Sequence, residues 1–473
     1  VVHSLSELLF TFKGASLQAI GLTSLFHLPW NLKFLWGPLL DGFATKKRWM
    51  LWMEMLIAGM LLILAFASTL SNVLVVSSVI FVLLAILSAT HDIAIDGYYL
   101  EALDEQKQSQ FVGYRATSYK VAMLVVGGPM VILIDKIGWF WGFIAVAVVM
   151  ALLWAYHARY LPAVESEKRP ISLLFKSLFR FRIALWCIVL AVIVAGLRTY
   201  LGSSWHLELM TSLESGVPWL FRISLSGYIG LALLAVLLLV LLALKPIKRR
   251  MANNRDSFYT RAFVDFLSQE QVGLILAFII LFRAGESFLL KMRLPFLRDV
   301  GMSMAEYGFA SGTVGLAFSF IGTLVGGYLI AKTSLRRWLW PFVLMQNVLN
   351  LLFAALAYYV NSISAMGAEQ VEVSLNILTA LISLESLGSG LGTAVFMVYM
   401  MRCCRSEFKA AHMAILTALM SVGFTVAGVS SGFLAEWLGF TNYFLFSFLA
   451  TVPGMMLLPF IPYLDGTTAA KPA

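Results

Sequence analysis

The residues with chemistry to offer are charged groups set inside long apolar runs. Arg283 and Glu286 lie near the middle of one run, three positions apart, a spacing that puts them on one face of a helix. They either neutralise one another or offer a cation and a carboxylate to a polar cavity. Lys291 and Arg293 follow toward the end of the run, where long side chains snorkel to an interface. Lys33 sits past the middle of an earlier run; with Lys120 it adds positive charge, and cations facing one cavity attract an anion. Glu385 stands mid-run, isolated from local cations. A carboxylate kept from water holds its proton at higher pH than one in water, the property needed to take up a proton on one side and release it on the other. The competing reading pairs Glu385 with Arg283 or Lys33 across the bundle. Asp92 and Asp96 are one turn apart, with His91 alongside. No third carboxylate or matching His follows at usable spacing, so no metal is expected. A charge network of Asp41, Asp92, Asp96 and Arg115 is expected instead, with Glu54 a structural member. Trp36 and Tyr119 are candidates to stack on a sugar ring.

These groups need an unusual setting. The 473 residues are 60% hydrophobic and only 12% charged, with a mean hydropathy of +0.86. A soluble chain averages about 45–50% apolar and about 25% charged. Runs of 18 or more apolar residues read as membrane-spanning helices, because the backbone in lipid must satisfy its own hydrogen bonds. Barrel strands need about 9–11 residues with alternation, which these runs lack. Each charge inside such a helix costs at least about 2.5–3.5 kcal/mol, so it persists where it faces a wet cavity or a partner.

Apolar segments fall at 18–43, 49–70, 74–99, 112–134, 138–160, 182–201, 224–245, 271–297, 303–331, 338–360, 373–400, 411–435 and 442–463. Residues 1–12 read as the end of one further helix. Lys and Arg concentrate in alternate loops: Lys46 to Arg48, 159–180, 245–261, 332–337 and 402–409. The positive-inside rule puts those loops, and both termini, in the cytoplasm. The net charge of +9 thus reports topology and implies no nucleic-acid partner. Cys187, Cys403 and Cys404 offer neither metal-ligand spacing nor a disulfide framework. No nucleophile–base pair is evident, so no enzyme is expected; nor is a cofactor.

The chain also repeats itself. Gly37-Pro-Leu-Leu-Asp41 precedes Lys47-Arg48-Trp49, and Gly327-Tyr-Leu-Ile-Ala331 precedes Arg336-Arg337-Trp338. Both stretches end one span and turn into the next. A repeat of several helices in one orientation relates the halves of major facilitator transporters. The expected division is a bundle at 1–163, linkers with two inserted helices at 164–270, a second bundle at 271–465 and a tail at 466–473. Gly127, Gly128 and Gly326 read as close-packing points. Gly388, Gly390 and Gly392 lie in a span with no preceding strand, which excludes a dinucleotide fingerprint.

Longer stretches carry a family resemblance. Lys33-Phe-Leu-Trp-Gly-Pro-Leu-Leu-Asp41, Ser88-Ala-Thr-His-Asp-Ile-Ala-Ile-Asp96, Ser118-Tyr119-Lys120, Arg283-Ala-Gly-Glu286 and Leu384-Glu385-Ser-Leu-Gly-Ser-Gly390 resemble the anhydromuropeptide permease (AmpG) family of the major facilitator superfamily, which also contains acetyl-coenzyme A transporters. The resemblance covers about three quarters of the chain. Lys120 stands where the family motif has Arg, and two extra helices lie mid-chain where enterobacterial members carry them at the C-terminus. The resemblance implies an all-α membrane protein with the major facilitator fold: two pseudo-symmetric six-helix bundles plus two middle helices. It implies a proton-driven monomeric importer of anhydromuropeptides across the bacterial inner membrane; the same fold carrying acyl-coenzyme A, a siderophore or another bulky anion is the alternative. Lys33, Lys120, Arg283, Glu286 and Tyr119 are then expected to bind cargo. Glu385, Asp92 and Asp96 are expected to couple protons, and Gly37, Asp41 and Arg115 to gate. Lipid and the cargo are the expected partners.

Overall fold

The computed structural model describes residues 2–33, 36–37, 40, 43–103, 118–164, 170, 208, 211–212, 215–216, 225–252, 258–366, 373–405 and 408–464. The expected inserted helix at 182–201, and Asp41 and Arg115, lie outside them.

The described residues form helices. In the first half these are α1 (Val2–Phe12), α2 (Leu17–Leu22), α3 (Leu28–Leu32), α4 (Lys46–Ala67), α5 (Val73–Ala102) and α6 (Pro129–Tyr160), the last part of a span from Ser118 to Tyr160. Between the halves lie α7 (Leu225–Ala252) and α8 (Phe258–Phe266). The second half has α9 (Val272–Phe282), α10 (Ala284–Asp299), α11 (Met304–Tyr307), a π-helical stretch Gly308–Gly315, α12 (Leu316–Lys332), α13 (Leu335–Val348), α14 (Leu351–Ala365), α15 (Leu375–Arg402), α16 (Lys409–Leu449) and α17 (Val452–Leu457). Among the described residues eight stretches are long and apolar enough to cross a membrane.

One expectation on span boundaries changes and another agrees with the structure. The segment 18–43 is not one helix: a 3-10 turn, Thr23–His27, separates α2 from α3, and Pro29 opens α3. Segments 112–134 and 138–160 are expected as separate spans, and the helix does break between them at Gly138. That residue, at φ 80° and ψ 165°, folds the chain back, so that an added Cβ on Gly142 would lie 2.5 Å from Ile134. Gly439 does the same between the two final segments, at φ 71° and ψ 158°. Only glycine adopts such angles without strain.

Gly138 and Gly439 are the first sign that the repeat is structural. Gly14 and Gly301 form a second matched pair, both at positive φ, and each is followed two residues later by a serine that caps the next helix, Ser16 and Ser303. The basic turns match too. Thr45 accepts from the Arg48 amide, and Ser334 from the Arg337 amide. The indoles that follow fold back on their own turns, Trp49 donating to the Phe43 carbonyl at 2.7 Å and Trp338 to the Thr333 hydroxyl at 2.9 Å. Side-chain capping fixes where these helices begin.

Packing divides the molecule by depth. At the end away from the basic loops, one apolar core joins both halves: Leu64, Phe81 and Ile134 from the first pack with Leu289, Phe296, Phe353 and Phe444 from the second. Backbones there approach closely. An added Cβ on Gly312 would sit 1.7 Å from the Gly127 carbonyl, and one on Gly432 would sit 2.2 Å from that of Leu17. At the basic-loop end each half keeps its own core, around Trp49, Met53 and Ala94 in the first and around Phe278, Phe342 and Tyr399 in the second.

Candidate functional site

The ionisable residues lie between those cores. Along α4, Ile57 belongs to the joint core and Met53 to the first half's own, with Glu54 between them. Along α5, Ala85 and Ala94 bracket His91 and Asp92. In the second half Phe282 and Leu289 bracket Arg283 and Glu286. Ile382 and Leu391 bracket Glu385 and Ser389, and Val343 and Phe353 bracket Gln346. A polar layer thus crosses the bundle where the common core ends.

In the second half four spans build it. Arg283 sits at the break between α9 and α10, with non-helical angles of φ −99° and ψ 4°. Its Nε lies 2.9 Å from Glu286 Oε2, and its Nη2 donates to Thr393 Oγ1 at 2.5 Å. The rings of Phe396 and Phe424 flank the guanidinium at 5.8 and 5.9 Å. Glu286 also accepts from Gln346 Nε2 at 2.8 Å and from the Ser389 hydroxyl. Gly392 makes room for this: a Cβ there would lie 1.7 Å from Gln346 Oε1. The three glycines 388, 390 and 392 therefore serve packing, as their place in a span requires.

Glu385 is only 1% exposed and is not alone. Arg293 Nη1 donates to its Oε2 at 2.7 Å, and Arg293 Nη2 donates to Ser311 Oγ at 2.9 Å. This corrects two expectations. Arg293 points into the layer and does not snorkel to an interface, and the partner of Glu385 is neither Arg283 nor Lys33. Sequence spacing held a signal for Arg293, seven positions after Glu286 and so on the same helical face. Ser311 comes from the π-helical stretch, whose wider turn is a common device at functional positions.

Lys291 also turns inward, toward partners that nothing in its own stretch of chain marks. Its Nζ donates to Thr23 Oγ1 at 2.7 Å and lies 3.3 Å from Glu7, joining α10 to the first half. Nearby, the rings of His3 and His27 stack with centroids 3.3 Å apart.

In the first half, Lys33 Nζ lies 2.6 Å from Asp92 Oδ2 and 3.8 Å from Asp96 Oδ2. Glu54 Oε1 sits 2.7 Å from His157 Nδ1 and 3.2 Å from His91 Nε2. The expected single network is thus two clusters among the described residues, Lys33 with the aspartates and Glu54 with the histidines. Lys120 lies over the Phe320 ring at 4.8 Å, reaching the second half. Tyr119 stands 68% exposed. Gly37 has open space where a Cβ would be. Among the described residues no group of three or more His, Cys, Asp or Glu is placed to hold a metal.

A duplicated helical bundle whose halves share a core at one end, part at the other and carry ionisable side chains at the junction is a transporter of the major facilitator fold. The resemblance read in the sequence extends over nearly the whole chain. Anhydromuropeptide permease of Escherichia coli strain K12 is 25% identical over 455 residues, 95% of this chain and 73% of the relative. A putative transporter AmpG 2 of Rickettsia typhi is 27% identical over 238 residues, 50% of this chain and 55% of that relative. The BT1 family model matches residues 9–192. A crystal structure of a peptide transporter POT in complex with sulfate covers 99% of this chain and 92% of its own, with a TM-score of 0.64 at 14% identity; that likeness concerns fold alone.

Proposed function

We propose that this transporter is a proton-coupled importer of anhydromuropeptides across the bacterial inner membrane, with the basic loops and both termini in the cytoplasm. The observation that carries the reading is the polar layer at the level where the common core ends. Three cations of the second half, Arg283, Lys291 and Arg293, are each held there by a carboxylate, Glu286, Glu7 and Glu385. A cargo bearing carboxylates competes for those cations in kind. The relatives' names supply the cargo class.

The arrangement suggests a coupling step. With Glu385 ionised, Arg293 is engaged. A proton on Glu385 removes the negative charge, and Arg293 is freed for a cargo carboxylate. Loss of that proton on the cytoplasmic side restores the pair and expels the cargo. Arg283 and Glu286 form the second cargo contact, with Lys33, Lys120 and Tyr119 completing it from the first half. Asp92 and Asp96 share the coupling role through Lys33, while Gly37, Asp41 and Arg115 form the gate. The parted cores at the basic-loop end correspond to a state open to the cytoplasm. We divide the chain into bundles 1–163 and 271–465, joined by 164–270, with a cytoplasmic tail from 466, working as a monomer.

The test is uptake of labelled anhydromuropeptide by proteoliposomes with and without an imposed pH gradient. Accumulation only with the inward proton gradient supports the reading. Gradient-driven uptake of acyl-coenzyme A or a siderophore, with none of the muropeptide, would replace the cargo and keep the fold.

A further inference from the structure

Of the buried carboxylates in the layer, Glu54 is the one that the import steps leave unused. It is 1% exposed and lies within the basic-loop half of α4. One of its oxygens, Oε1, serves two rings, His157 Nδ1 at 2.7 Å and His91 Nε2 at 3.2 Å. The other, Oε2, is buried with no hydrogen-bond partner among the described residues. The three members come from α4, α5 and α6.

The charges of this cluster do not balance without a proton. If both rings are neutral and donate, an ionised Glu54 brings a whole negative charge into a buried place with one oxygen unmet. One added proton removes that cost. It fits on Oε2, leaving Oε1 to accept from both rings, or on the His157 ring, giving an ion pair. Neither position breaks a contact that the structure shows. His157 stands in the last turn of α6, where the unpaired carbonyls favour a cation. It is also the most open member, with a side chain 26% exposed against 18% for His91 and 1% for Glu54. The chain just beyond it is tied to the same helices: Lys47 on α4 donates to the Leu161 carbonyl, and Tyr98 on α5 to the Pro162 carbonyl at 2.8 Å. A proton therefore has a short way from Glu54 to the basic-loop side.

The surrounding charges limit the cluster to one proton. Lys46, Lys47 and Arg48 open α4, roughly two turns from Glu54, and Arg159 follows His157 over the Tyr160 ring. These cations oppose a second positive ring. Asp92 and Asp96, on α5 beside His91, face Lys33 at the end of α3, and Glu101 closes α5 in an exposed position.

We propose that Glu54, His91 and His157 form a proton-binding site of the first half, which takes up and gives off one proton on the basic-loop side through His157. Its part in transport rests on the proton-coupled reading, to which it adds a titrating group separate from Glu385.

Two measurements test this. In the first, the full chain labelled with nitrogen-15 at histidine is held in neutral detergent, and its ring-nitrogen signals are followed from about pH 5 to about pH 8, the window in which imidazoles titrate. The His157 signals are those missing from His157→Gln. The His157 ring is expected to gain a proton within that window, and Glu54→Gln is expected to loosen it at least about tenfold, the effect of removing an opposite charge in contact. A ring that keeps one protonation state throughout overturns the proposal, as does one that binds its proton equally well in Glu54→Gln. The second measurement is exchange of labelled for unlabelled anhydromuropeptide across proteoliposomes at equal pH on both sides, which needs no gradient. The wild-type rate is expected to show a step over the same window that His157→Gln lacks. Identical profiles overturn the site's part in transport. A wild type that exchanges no anhydromuropeptide overturns the import reading instead, and the ring signals alone then decide the site.

Discussion

Both halves carry ionisable side chains at the same depth, but they hold them differently. In the second half Arg293 and Glu385 are 11% and 2% exposed by side chain, and the layer's three cations Arg283, Lys291 and Arg293 each face a carboxylate. In the first, Lys33 and Asp92 are 33% and 39% exposed, and Glu54 is held by two histidines. A buried guanidinium–carboxylate pair is expensive to break, so breaking it has to be coupled to something, a proton or a cargo. A half-exposed lysine–aspartate pair is screened and exchanges freely with water. The second half is therefore the one suited to store the coupling energy, and the first the one suited to rearrange.

The sharpest way to break that comparison is to remove one partner on each side. Arg293→Ala strands a buried Glu385 and is expected to cost about 3–5 kcal/mol of stability along with all transport. Lys33→Ala is expected to cost under about 1 kcal/mol. Chemical unfolding in detergent gives both numbers; equal losses would mean that the halves are not different. Replacing Arg293 and Glu385 together by Met refines the point. Stability is expected to recover most of its loss, since the stranded charge is gone, while uptake stays abolished.

Next in size is Glu385→Gln, which keeps the shape and removes the titratable proton. Proton-driven accumulation is expected to disappear while exchange of cargo across the membrane persists. Unchanged accumulation at normal expression takes Glu385 out of the coupling step and leaves its pair with Arg293 purely structural.

How much of this was legible beforehand depends on what enforces each feature. The spans, the alternating basic loops and the duplication were readable because lipid penalises every exception. The depth of Arg283, Glu286 and Glu385 was readable for the same reason. Partners were not. Glu385 meets Arg293 across 92 positions and Glu54 meets His157 across 103, separations that only packing determines. Glu385 looked isolated because its cation comes from another helix. The break at Arg283 and the 3-10 turn at Thr23–His27 were also hidden, since neither is marked within its own residues by a helix-breaking Gly or Pro. Ser303 and Ser334, by contrast, sit where a capping serine belongs, and the structure uses them so.

Two smaller effects test the positioning around each carboxylate. Gly392→Ala pushes Gln346 away from Glu286. It is expected to raise the half-saturating cargo concentration several-fold, on the order of one lost hydrogen bond to a charged group. Gly59→Ala, with open space at its Cβ, is the control expected to leave uptake unchanged. The smallest effect belongs to His91→Gln. Glu54 keeps its shorter contact, 2.7 Å to His157, and Gln offers an amide donor in place of the lost ring nitrogen. Stability is expected to fall by less than about 1 kcal/mol. His157→Gln removes the nearer partner and is expected to cost more. If the order is reversed, the longer contact to His91 is the one that holds Glu54, and the first half's charges are set from α5 and not from the end of α6.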